Sequence, residues 1–374
     1  MTLHVAVVGA GAFGGWTALH LRRAGHRVTL VDAWGAGNSR ASSGGETRII
    51  RGMYGGDRVY VELTLRSFAL WWEHEQRVGR RLYHRLGALW MYAADDRYAR
   101  ATLPLLHAAG LEATELSPVD AATRWPQIDF NGVRTVFHES EAGYLLARQS
   151  CETVREAFVT EGGEYRVAHA RPAPLDAGGL RGIALSDGET LRADRFVFAC
   201  GPWLGSVFPD VVGPRVTPTR QEVFFFGLPP GDRAYDEGGC PVWVDNGERF
   251  IYGIPGNERR GFKVADDTRG PEIDPTTEQR LPSAEGLARA RELLRRRFPG
   301  LAGAPLVESR VCQYEQSPDG DFILDRHPLA DNVWLAGGGS GHGFKMAPAV
   351  GEHVARLVLG TAEPEPKFSL GRLA

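Results

Sequence analysis

The chain has 374 residues, of which 43% are hydrophobic and 24% charged, and a formal net charge of -3. This length allows two domains that each bury a core, and the composition is that of an ordinary soluble globular protein. The small net charge gives no general reason to expect nucleic acid or an anionic membrane as a partner.

The cysteines and the N-terminus bear on the cellular compartment. Four cysteines, at positions 151, 200, 240 and 312, show neither paired spacing nor a grouping with histidine typical of metal ligands. No segment reaches about 18 consecutive apolar residues, and an apolar strand begins almost at once, with no basic region or cleavage site before it. We therefore expect a cytoplasmic protein with no bound metal.

The first 32 residues predict a strand, a glycine turn, a helix and a second strand that ends in Asp32. The turn reads GAGAFG at residues 9–14. In such a turn one glycine permits a tight bend, the next lets the backbone approach a pyrophosphate, and the third lets the helix pack near the sheet. The phosphates lie at the helix N-terminus and the acid accepts hydrogen bonds from a ribose. The pattern predicts a dinucleotide site.

The next segments combine a flexible loop with helices. A run of small and polar residues over 35–45 predicts a loop that leads into Arg48 and Arg51. An apolar stripe at helical spacing predicts a helix from its N-cap Asp57 to about Val78, with Trp71 and Trp72 in the core. Further patterns predict a strand over 86–92 and helices over 97–109, 118–124 and 145–161.

The second half of the chain is richer in strands. We expect a strand over 164–168, a hairpin over 182–199, strands over 217–226 and 241–252, a basic solvated helix over 287–298, a strand over 332–336, a helix over 347–359 and an extended tail beyond Thr361. The stretches over 217–226 and 241–252 indicate an antiparallel sheet outside the nucleotide domain.

Two further buried strands end in glycine turns, at 199–203 and 336–343. If both join the first sheet, the nucleotide domain consists of residues 1–82, 146–217 and 316–374, and a substrate domain of residues 83–145 and 218–315. The fold class would be α/β, with a mostly antiparallel substrate domain. The last glycine run would open a helix whose positive end faces a flavin, or would be only a structural turn.

Four motifs in this order resemble the monomeric sarcosine oxidase branch of the D-amino-acid-oxidase superfamily. They are GAGAFG at 9–14, GETRIIR at 45–51, VCQY at 311–314 followed by DFILD at 321–325, and SGHGFK at 340–345. The resemblance extends from residue 3 to about residue 360. It implies a Rossmann-type, glutathione-reductase-like FAD fold in a monomer or small homo-oligomer.

The resemblance also implies a reaction and a set of cofactor contacts. An FAD-dependent amine oxidase of this type oxidises a carboxylate-bearing secondary or cyclic amine by hydride transfer to flavin N5, and O₂ then reoxidises the flavin to give H₂O₂. The expected cofactor contacts are Gly9, Gly11, Ala12, Phe13, Gly14, Asp32, Ser42, Thr47, Arg48, Cys200, Gly201, Trp203, Cys312, Gly338, Gly339, Gly341, His342, Gly343, Phe344 and Lys345.

Cys312 matches the cysteine that this family bonds through sulfur to the flavin 8α-methyl group. Such a bond needs a nucleophilic thiolate, and Arg310 two residues away would favour one electrostatically. Without the resemblance, a lone cysteine in this position reads more simply as a small buried hydrophobe.

Six residues match catalytic positions of the family: Arg48, Arg51, Tyr252, Lys263, Tyr314 and Lys345. By this match Arg51 and Lys345 hold the substrate carboxylate, through a planar fork and a point charge. Lys263 promotes the reaction with O₂ by stabilising developing negative charge. The tyrosines surround the substrate amine, and Arg48 lies beside the flavin ring. Without the resemblance, Arg51, Lys263 and Lys345 would each be interpreted as solvated surface residues.

Two positions depart from the family. Asp267 stands where we expect a histidine, and Trp243 where we expect methionine. A carboxylate pairs with a basic amine or a hydroxyl group, which argues against sarcosine itself as substrate. No general base is evident, so the substrate is expected to react as a neutral amine whose pKa nearby cations lower.

Three other functions remain open from the sequence. One is a flavin-dependent amino acid dehydrogenase that uses an acceptor other than O₂. Another is an NAD-dependent dehydrogenase in which the C-terminal glycine run is structural. The third is a non-catalytic nucleotide-binding protein in which Arg51 and Lys345 never converge.

Overall fold

A computed structural model describes residues 1–176 and 179–373 of the chain. The described helices are α1 (Ala12–Arg23), α2 (Arg58–Val78), α3 (Arg97–Ala108), α4 (Pro118–Arg124), α5 (Ala147–Thr160), α6 (Leu204–Val207), α7 (Ala284–Arg297) and α8 (Ala347–Leu359). The described strands are β1 (His4–Val8), β2 (Arg27–Asp32), β3 (Thr47–Ile50), β4 (Tyr83–Arg85), β5 (Ala88–Tyr92), β6 (Ala113–Leu116), β7 (Thr135–Glu139), β8 (Gly143–Leu146), β9 (Glu164–Val167), β10 (Ala170–Pro172), β11 (Ile183–Leu185), β12 (Thr190–Leu191), β13 (Arg195–Phe198), β14 (Thr217–Phe226), β15 (Val242–Asn246), β16 (Phe250–Ile254), β17 (Phe262–Asp266), β18 (Leu306–Gln316), β19 (Ile323–Arg326) and β20 (Val333–Gly337).

A six-stranded sheet of order β19-β20-β13-β1-β2-β9 forms one layer of the molecule. Its neighbouring strands pair in parallel except for β19, which is antiparallel to β20. Parallel strands covered on both faces are apolar throughout, which explains the buried run Val5–Val8. The helices α1, α5 and α8 pack on one face, and the small sheet β10-β11-β12 lies over the other. The strands come from three separated parts of the chain.

An eight-stranded sheet of order β18-β14-β17-β16-β15-β5-β7-β6 forms a second layer. All its neighbouring pairs are antiparallel except β5 with β15. One face packs under α7 through Trp243, Phe262 and Phe298. The opposite face carries Trp90 and Tyr252. A third sheet, β3-β8-β4, completes the mixed arrangement, and the predicted α/β fold is confirmed.

Several predicted segments differ in the structure. Residues 47–50 are strand β3 because they pair with β8, although the sequence suggested a loop. The hairpin within 182–199 is β11-β12 alone, since β13 pairs in parallel with β1 and β20. The stretch 241–252 is split by a turn between β15 and β16. Helix α5 begins at Ala147 because strand β8 occupies Gly143–Leu146.

Two further predictions, one for a side chain and one for the C-terminal tail, are also wrong. Trp71 is buried, but Trp72 is 54% exposed because the next residue of a helix points about 100° away from it. The tail beyond Thr361 is not extended: it folds into 3₁₀ turns over Pro366–Phe368 and Leu370–Leu373. Phe368 is buried there, with its ring 5.5 Å from the ring of Phe322.

Within the part of the chain that the structure describes, no helix combines the length and apolar character needed to cross a membrane.

Candidate active site

The glycine turn at residues 9–14 borders a cavity of about 660 Å³ at the carboxyl ends of β1 and β2. Gly9 has φ +103°, and a Cβ there would lie 2.2 Å from the Ala199 carbonyl oxygen. A Cβ on Gly14 would lie 1.9 Å from the Gly9 oxygen. At Gly11 the nearest atom would be the Ser43 hydroxyl, at 3.2 Å, so its backbone is open toward the cavity. These three environments match the three glycine roles expected of a dinucleotide turn.

Asp32 is fixed at the wall of this cavity by backbone amides. Its Oδ2 accepts a hydrogen bond from the Ala10 amide at 2.7 Å, and its Oδ1 accepts from those of Trp34 and Gly35 at 2.9 and 2.8 Å. Burial raises the pKa of Asp32, and these amides oppose the shift. The rings of Trp34 and Trp203, 4.7 Å apart, also line the cavity. Sequence reasoning missed Trp34.

Most of the expected cofactor contacts lie together. The cavity is lined by Gly9, Gly11, Ala12, Phe13, Asp32, Ser42, Arg48, Cys200, Gly201, Trp203, Gly339, Gly341, Gly343 and Phe344. Gly14 and Gly338 pack behind this lining. The side chain of His342 lies in an aromatic cluster, 4.9 Å from the ring of Phe322, and its Nε2 pairs with the Gly320 oxygen at 3.0 Å. Burial and Lys345 lower the pKa of His342 to about 3, so its ring is neutral.

Two polar side-chain atoms at the cavity lack hydrogen-bond partners among the described residues. They are the Ser42 hydroxyl and the Oε2 atom of Glu315. The other carboxylate oxygen of Glu315 accepts from the Gly339 amide at 3.3 Å, and burial raises its pKa to about 7. Buried polar atoms in native proteins normally have partners, so this cavity fits a polar ligand such as a dinucleotide. The signal that sequence reasoning missed is the acid immediately after Tyr314.

Arg51 and Lys345 converge although they come from distant parts of the chain. Arg51 follows β3 and Lys345 precedes α8, and their cationic groups lie 4.4 Å (Cζ) and 5.2 Å (Nζ) from the ring centre of Tyr54. Lys345 Nζ donates to the His342 oxygen at 2.7 Å. Burial and the charge of Arg51 lower the pKa of Lys345. The half-buried Arg51 and the buried Lys345 form a positive site that the ring of Tyr54, unforeseen from the sequence, helps to line.

Glu139 at the end of β7 fixes the segment that follows Arg51. Its carboxylate is 4% exposed and accepts from the Gly52 amide at 2.7 Å and from Trp90 Nε1 at 2.6 Å. Burial raises its pKa, while the Gly52 amide and Arg51 oppose the shift. Sequence reasoning missed Glu139, whose only signal is an acid that ends an apolar strand.

Asp267 and two tyrosines face the same region. The Tyr314 hydroxyl donates to Asp267 Oδ1 at 2.7 Å, and Tyr252 lies in contact with Tyr314. Burial raises the pKa of Asp267 to about 6, while Tyr314, Arg51 and Lys345 act in the opposite direction. Trp243 is elsewhere: it packs 4.8 Å from the ring of Phe298 on the α7 face of the sheet. Trp243 therefore does not shape this site.

Lys263 and Arg48 share one acceptor. Lys263 Nζ, on β17, and Arg48 Nη1, on β3, donate to the Thr47 oxygen at 2.9 and 2.8 Å. Arg48 also donates to the Ser42 oxygen at 2.6 Å. Burial and the charge of Arg48 lower the pKa of Lys263 to about 7. Lys263 is thus a buried lysine that is partly protonated at neutral pH, not a solvated surface lysine.

Cys312 lies in the middle of β18, opposite Gln221 of β14, with a half-buried free thiol. The charges of Arg48 and Lys263 act on it. Arg310, expected from the sequence to favour the thiolate, is ion-paired with Glu46 at 2.8 Å and with Glu308. Arg280 acts on the thiol as well, so the cations near it that form no ion pair with a carboxylate among the described residues are Arg48, Lys263 and Arg280.

Residues 4–357 match the profile of the family described as FAD dependent oxidoreductase, DAO. The chain belongs to this family. It is 31% identical to the monomeric sarcosine oxidase of Bacillus sp. (strain B-0618), over 98% of this chain and 94% of that protein. It is 29% identical to the N-methyl-L-tryptophan oxidase of Salmonella heidelberg (strain SL476), over 99% of this chain and 97% of that protein.

Solved structures of the same fold include L-proline dehydrogenase from P. horikoshii, with a TM-score of 0.86 and 19% identity over 100% of this chain and 98% of that one. Fructosamine oxidase (Amadoriase II) from Aspergillus fumigatus has a TM-score of 0.80 and 24% identity over 97% of this chain and 87% of that one. This DAO-family chain is an FAD-dependent oxidoreductase. The membership selects flavin over the nicotinamide and non-catalytic alternatives.

Proposed function

We propose that this protein is an FAD-dependent amine oxidase that converts a carboxylate-bearing secondary or cyclic amine into an imine, with O₂ as electron acceptor and H₂O₂ as product. The observation that carries the proposal is the convergence of Arg51 and Lys345 on Tyr54 next to the cofactor cavity. The relatives named for sarcosine and N-methyl-L-tryptophan support it, because both substrates are N-methyl amino acids.

The two cations suit a carboxylate ligand. Arg51 offers a planar fork that can donate two parallel hydrogen bonds, and Lys345 offers a compact charge. Lys345 is buried and Arg51 is half-buried, so their attraction for an anion is less screened by water and salt than at an exposed position. In this role they anchor the acid group of the substrate and orient the carbon beside its nitrogen.

The cavity at the glycine turn would hold FAD, with the pyrophosphate at Gly11 and the α1 N-terminus and the ribose at Asp32. When bound, FAD supplies the acceptor for the hydride that leaves the substrate carbon. We assign Cys312 as its covalent tether, because its free thiol lies two residues before Tyr314, which lines the cavity, and is half-buried. The FAD-binding part comprises residues 1–82, 146–217 and 316–374, and the substrate part residues 83–145 and 218–315.

Lys263 is assigned to the reaction with O₂. Its ammonium is fixed on the Thr47 oxygen and can stabilise negative charge that develops on oxygen during the first electron transfer. The ring centre of Tyr252 lies 5.5 Å from Lys263 Nζ, within the range of a cation–π contact.

Two measurements test the proposed function. Acid precipitation of the purified protein should leave yellow colour in the pellet, and Cys312→Ser should move that colour to the supernatant. A panel of N-methyl and cyclic amino acids should release H₂O₂, and Arg51→Ala should raise the apparent KM for the active ones by roughly 10- to 100-fold. Flavin reduction without any reaction with O₂ would instead favour the dehydrogenase, and an unchanged KM would refute the carboxylate role of Arg51.

A further inference from the structure

The candidate substrate site contains charges of both signs that do not neutralise one another directly. Asp267 feels the positive charges of Arg51 and Lys345. Across residues 1–176 and 179–373, however, its carboxylate forms no ion pair within 4.0 Å with a Lys or Arg side chain, and its Oδ1 accepts only from Tyr314. A pair of cations and a separate carboxylate in one site complement a ligand that carries both a carboxylate and an ammonium group.

We propose that Asp267 binds the substrate nitrogen, so that the site takes its amino acid as a zwitterion with the carboxylate on Arg51 and Lys345 and the ammonium on Asp267. This inference rests on the proposed function and extends it to the class of substrate. A carboxylate that lacks a basic nitrogen would satisfy the cations and leave the half-buried Asp267 charge with the Tyr314 hydroxyl but no cation beside it, which is less favourable than a charge pair.

Asp267 also accepts the proton that must leave before oxidation. An ammonium nitrogen has no free electron pair, so the C–H bond beside it cannot become C=N. Transfer of one proton from R₂NH₂⁺ to the Asp267 carboxylate leaves R₂NH and a neutral carboxylic acid. The nitrogen electron pair then forms the C=N bond as the hydride leaves to the flavin, and Asp267 later returns its proton to water. The chain thus holds the general base that its sequence did not reveal.

The environment of Asp267 suits this exchange. Burial raises its pKa to about 6, which brings it nearer to neutral pH than an ordinary aspartate and makes it a stronger base. The hydrogen bond from Tyr314 and the two cations keep the carboxylate ionised at neutral pH. The ionisable groups that act on it are Tyr54, Arg51, Tyr252, Lys263, Asp266, Tyr314 and Lys345.

A pair of matched ligands tests the assignment without turnover. 2-Aminoisobutyrate and isobutyrate share a carbon skeleton and a carboxylate, but only the first has an ammonium group, and it lacks the α-hydrogen that oxidation removes. Each ligand is titrated into the flavin-loaded protein, and binding is followed by the flavin absorbance. We expect wild type to bind 2-aminoisobutyrate on the order of tenfold more tightly than isobutyrate at pH 7.5. Asp267→Asn should abolish this preference and leave isobutyrate binding equal or tighter.

The control variant Arg51→Ala should weaken both ligands by a similar factor and keep their ratio. A preference for 2-aminoisobutyrate that survives in Asp267→Asn would overturn the role of Asp267 and leave the proposed function intact. Failure of wild type to bind isobutyrate at all would instead refute the carboxylate site of the proposed function, and the assignment of Asp267 with it.

Proton release gives a second readout that a structural role would not produce. At pH 5 the Asp267 carboxyl of the free protein is largely protonated, so binding of an ammonium ligand must release close to one proton. Calorimetry of 2-aminoisobutyrate in two buffers of different ionisation enthalpy should show this release at pH 5 and almost none at pH 7.5. Isobutyrate should release only the proton that part of its own carboxyl carries in solution, less than about half a proton at pH 5 and almost none at pH 7.5. Equal proton release by both ligands at pH 5 would contradict the proposal.

Discussion

Lys263 is a buried cation without a carboxylate partner. It is 2% exposed, and the described residues provide no ion pair for its Nζ, which donates to the Thr47 oxygen. An unpaired buried charge is unfavourable for folding, and such groups are concentrated at functional sites. The lysine is therefore better explained by its chemistry than by a contribution to stability.

Replacement of Lys263 by methionine keeps the volume and removes the charge. We expect Lys263→Met to slow the reaction of the reduced enzyme with O₂ by roughly 100- to 1000-fold, because one fixed electrostatic contact is lost. Anaerobic reduction by substrate should change far less, since Lys263 forms no hydrogen bond with Arg51, Lys345 or Asp267 among the described residues and acts on Asp267 only through its charge. Stopped-flow absorbance measures both half-reactions, and an equal loss in the two would contradict the assignment.

Glu315 makes stability depend on pH. Burial raises its pKa from 4.5 to about 7, so the folded protein binds this proton more tightly than the unfolded chain. The free energy of unfolding therefore falls as pH rises between these values, by roughly 3 kcal/mol at most. In protein produced without flavin, Glu315→Gln should match wild type at pH 5 and be more stable at pH 8. Thermal unfolding at both pH values measures this. A stability difference between variant and wild type that does not change with pH would be evidence against the raised pKa of Glu315.

Motif residues were predictable one by one, while their partners were not. Arg51, Lys263 and Lys345 stand in recognisable sequence contexts, and the structure brings Arg51 and Lys345 together. Glu139 and Glu315 act through contacts with segments far away in the chain, at Gly52 and Gly339. No local pattern encodes such a contact, so these two carboxylates became visible only in the folded molecule.

At the level of elements, α1 offers a matched pair of glycines. A Cβ at Gly14 would lie 1.9 Å from the Gly9 oxygen, whereas a Cβ at Gly15 would lie 3.4 Å from the Val154 side chain. We expect Gly14→Ala to lower the free energy of unfolding by roughly 1–3 kcal/mol through backbone displacement. Gly15→Ala should be close to neutral, because alanine favours the helix. Thermal unfolding of both variants tests this, and equal effects would show that the turn is not tightly packed.

Strong periodicity made α2 and the βαβ unit predictable, and the Asp57 side chain does accept from the Tyr60 amide at its N-cap. Strands of the other sheets were harder to predict from the sequence, because their residue types alternate between two different faces. β18 reads as a motif because Cys312 and Tyr314 interrupt its pattern, and β3 is too short to show one. Pairing partners also decide such cases, as with β13, which leaves its sequence neighbour β12 to join β1.

In the whole molecule, segments that are distant in the sequence pack around the site, and the C-terminal turns pack behind the segment that carries Lys345. Phe368 lies 5.5 Å from the ring of Phe322, which in turn lies 4.9 Å from His342 below the Lys345 turn. The overall parallel sheet was predictable because each of its apolar strands ends in a recognisable turn. The packing of the tail was not, since a Pro-rich segment gives no periodic signal.

Removal of the Phe368 ring should affect both stability and binding. We expect Phe368→Ala to lower the free energy of unfolding by about 3–5 kcal/mol and to weaken carboxylate binding severalfold, because the Lys345 turn loses support. Leu370→Ala is the matched control, since Leu370 is buried in the same tail but packs on the other side of the parallel sheet. Its loss should destabilise the fold without changing the isobutyrate Kd. Identical changes of the isobutyrate Kd in the two variants would contradict the idea that the Phe368 ring supports the Lys345 turn.

The carbonyl of Thr47 is the meeting point of two side chains that the chain supplies from separate sheets. A carbonyl oxygen has two lone pairs, so Arg48 and Lys263 occupy both. If either side chain moves, it loses its own hydrogen bond to the Thr47 oxygen. If the Thr47 oxygen moves, both hydrogen bonds are lost. A one-residue insertion or deletion between residues 45 and 50 would therefore displace the hydrogen bonds of both Arg48 and Lys263. Substitutions of outward-facing side chains in the same stretch would be tolerated. The length of this short segment, more than its composition, is what we expect to be constrained.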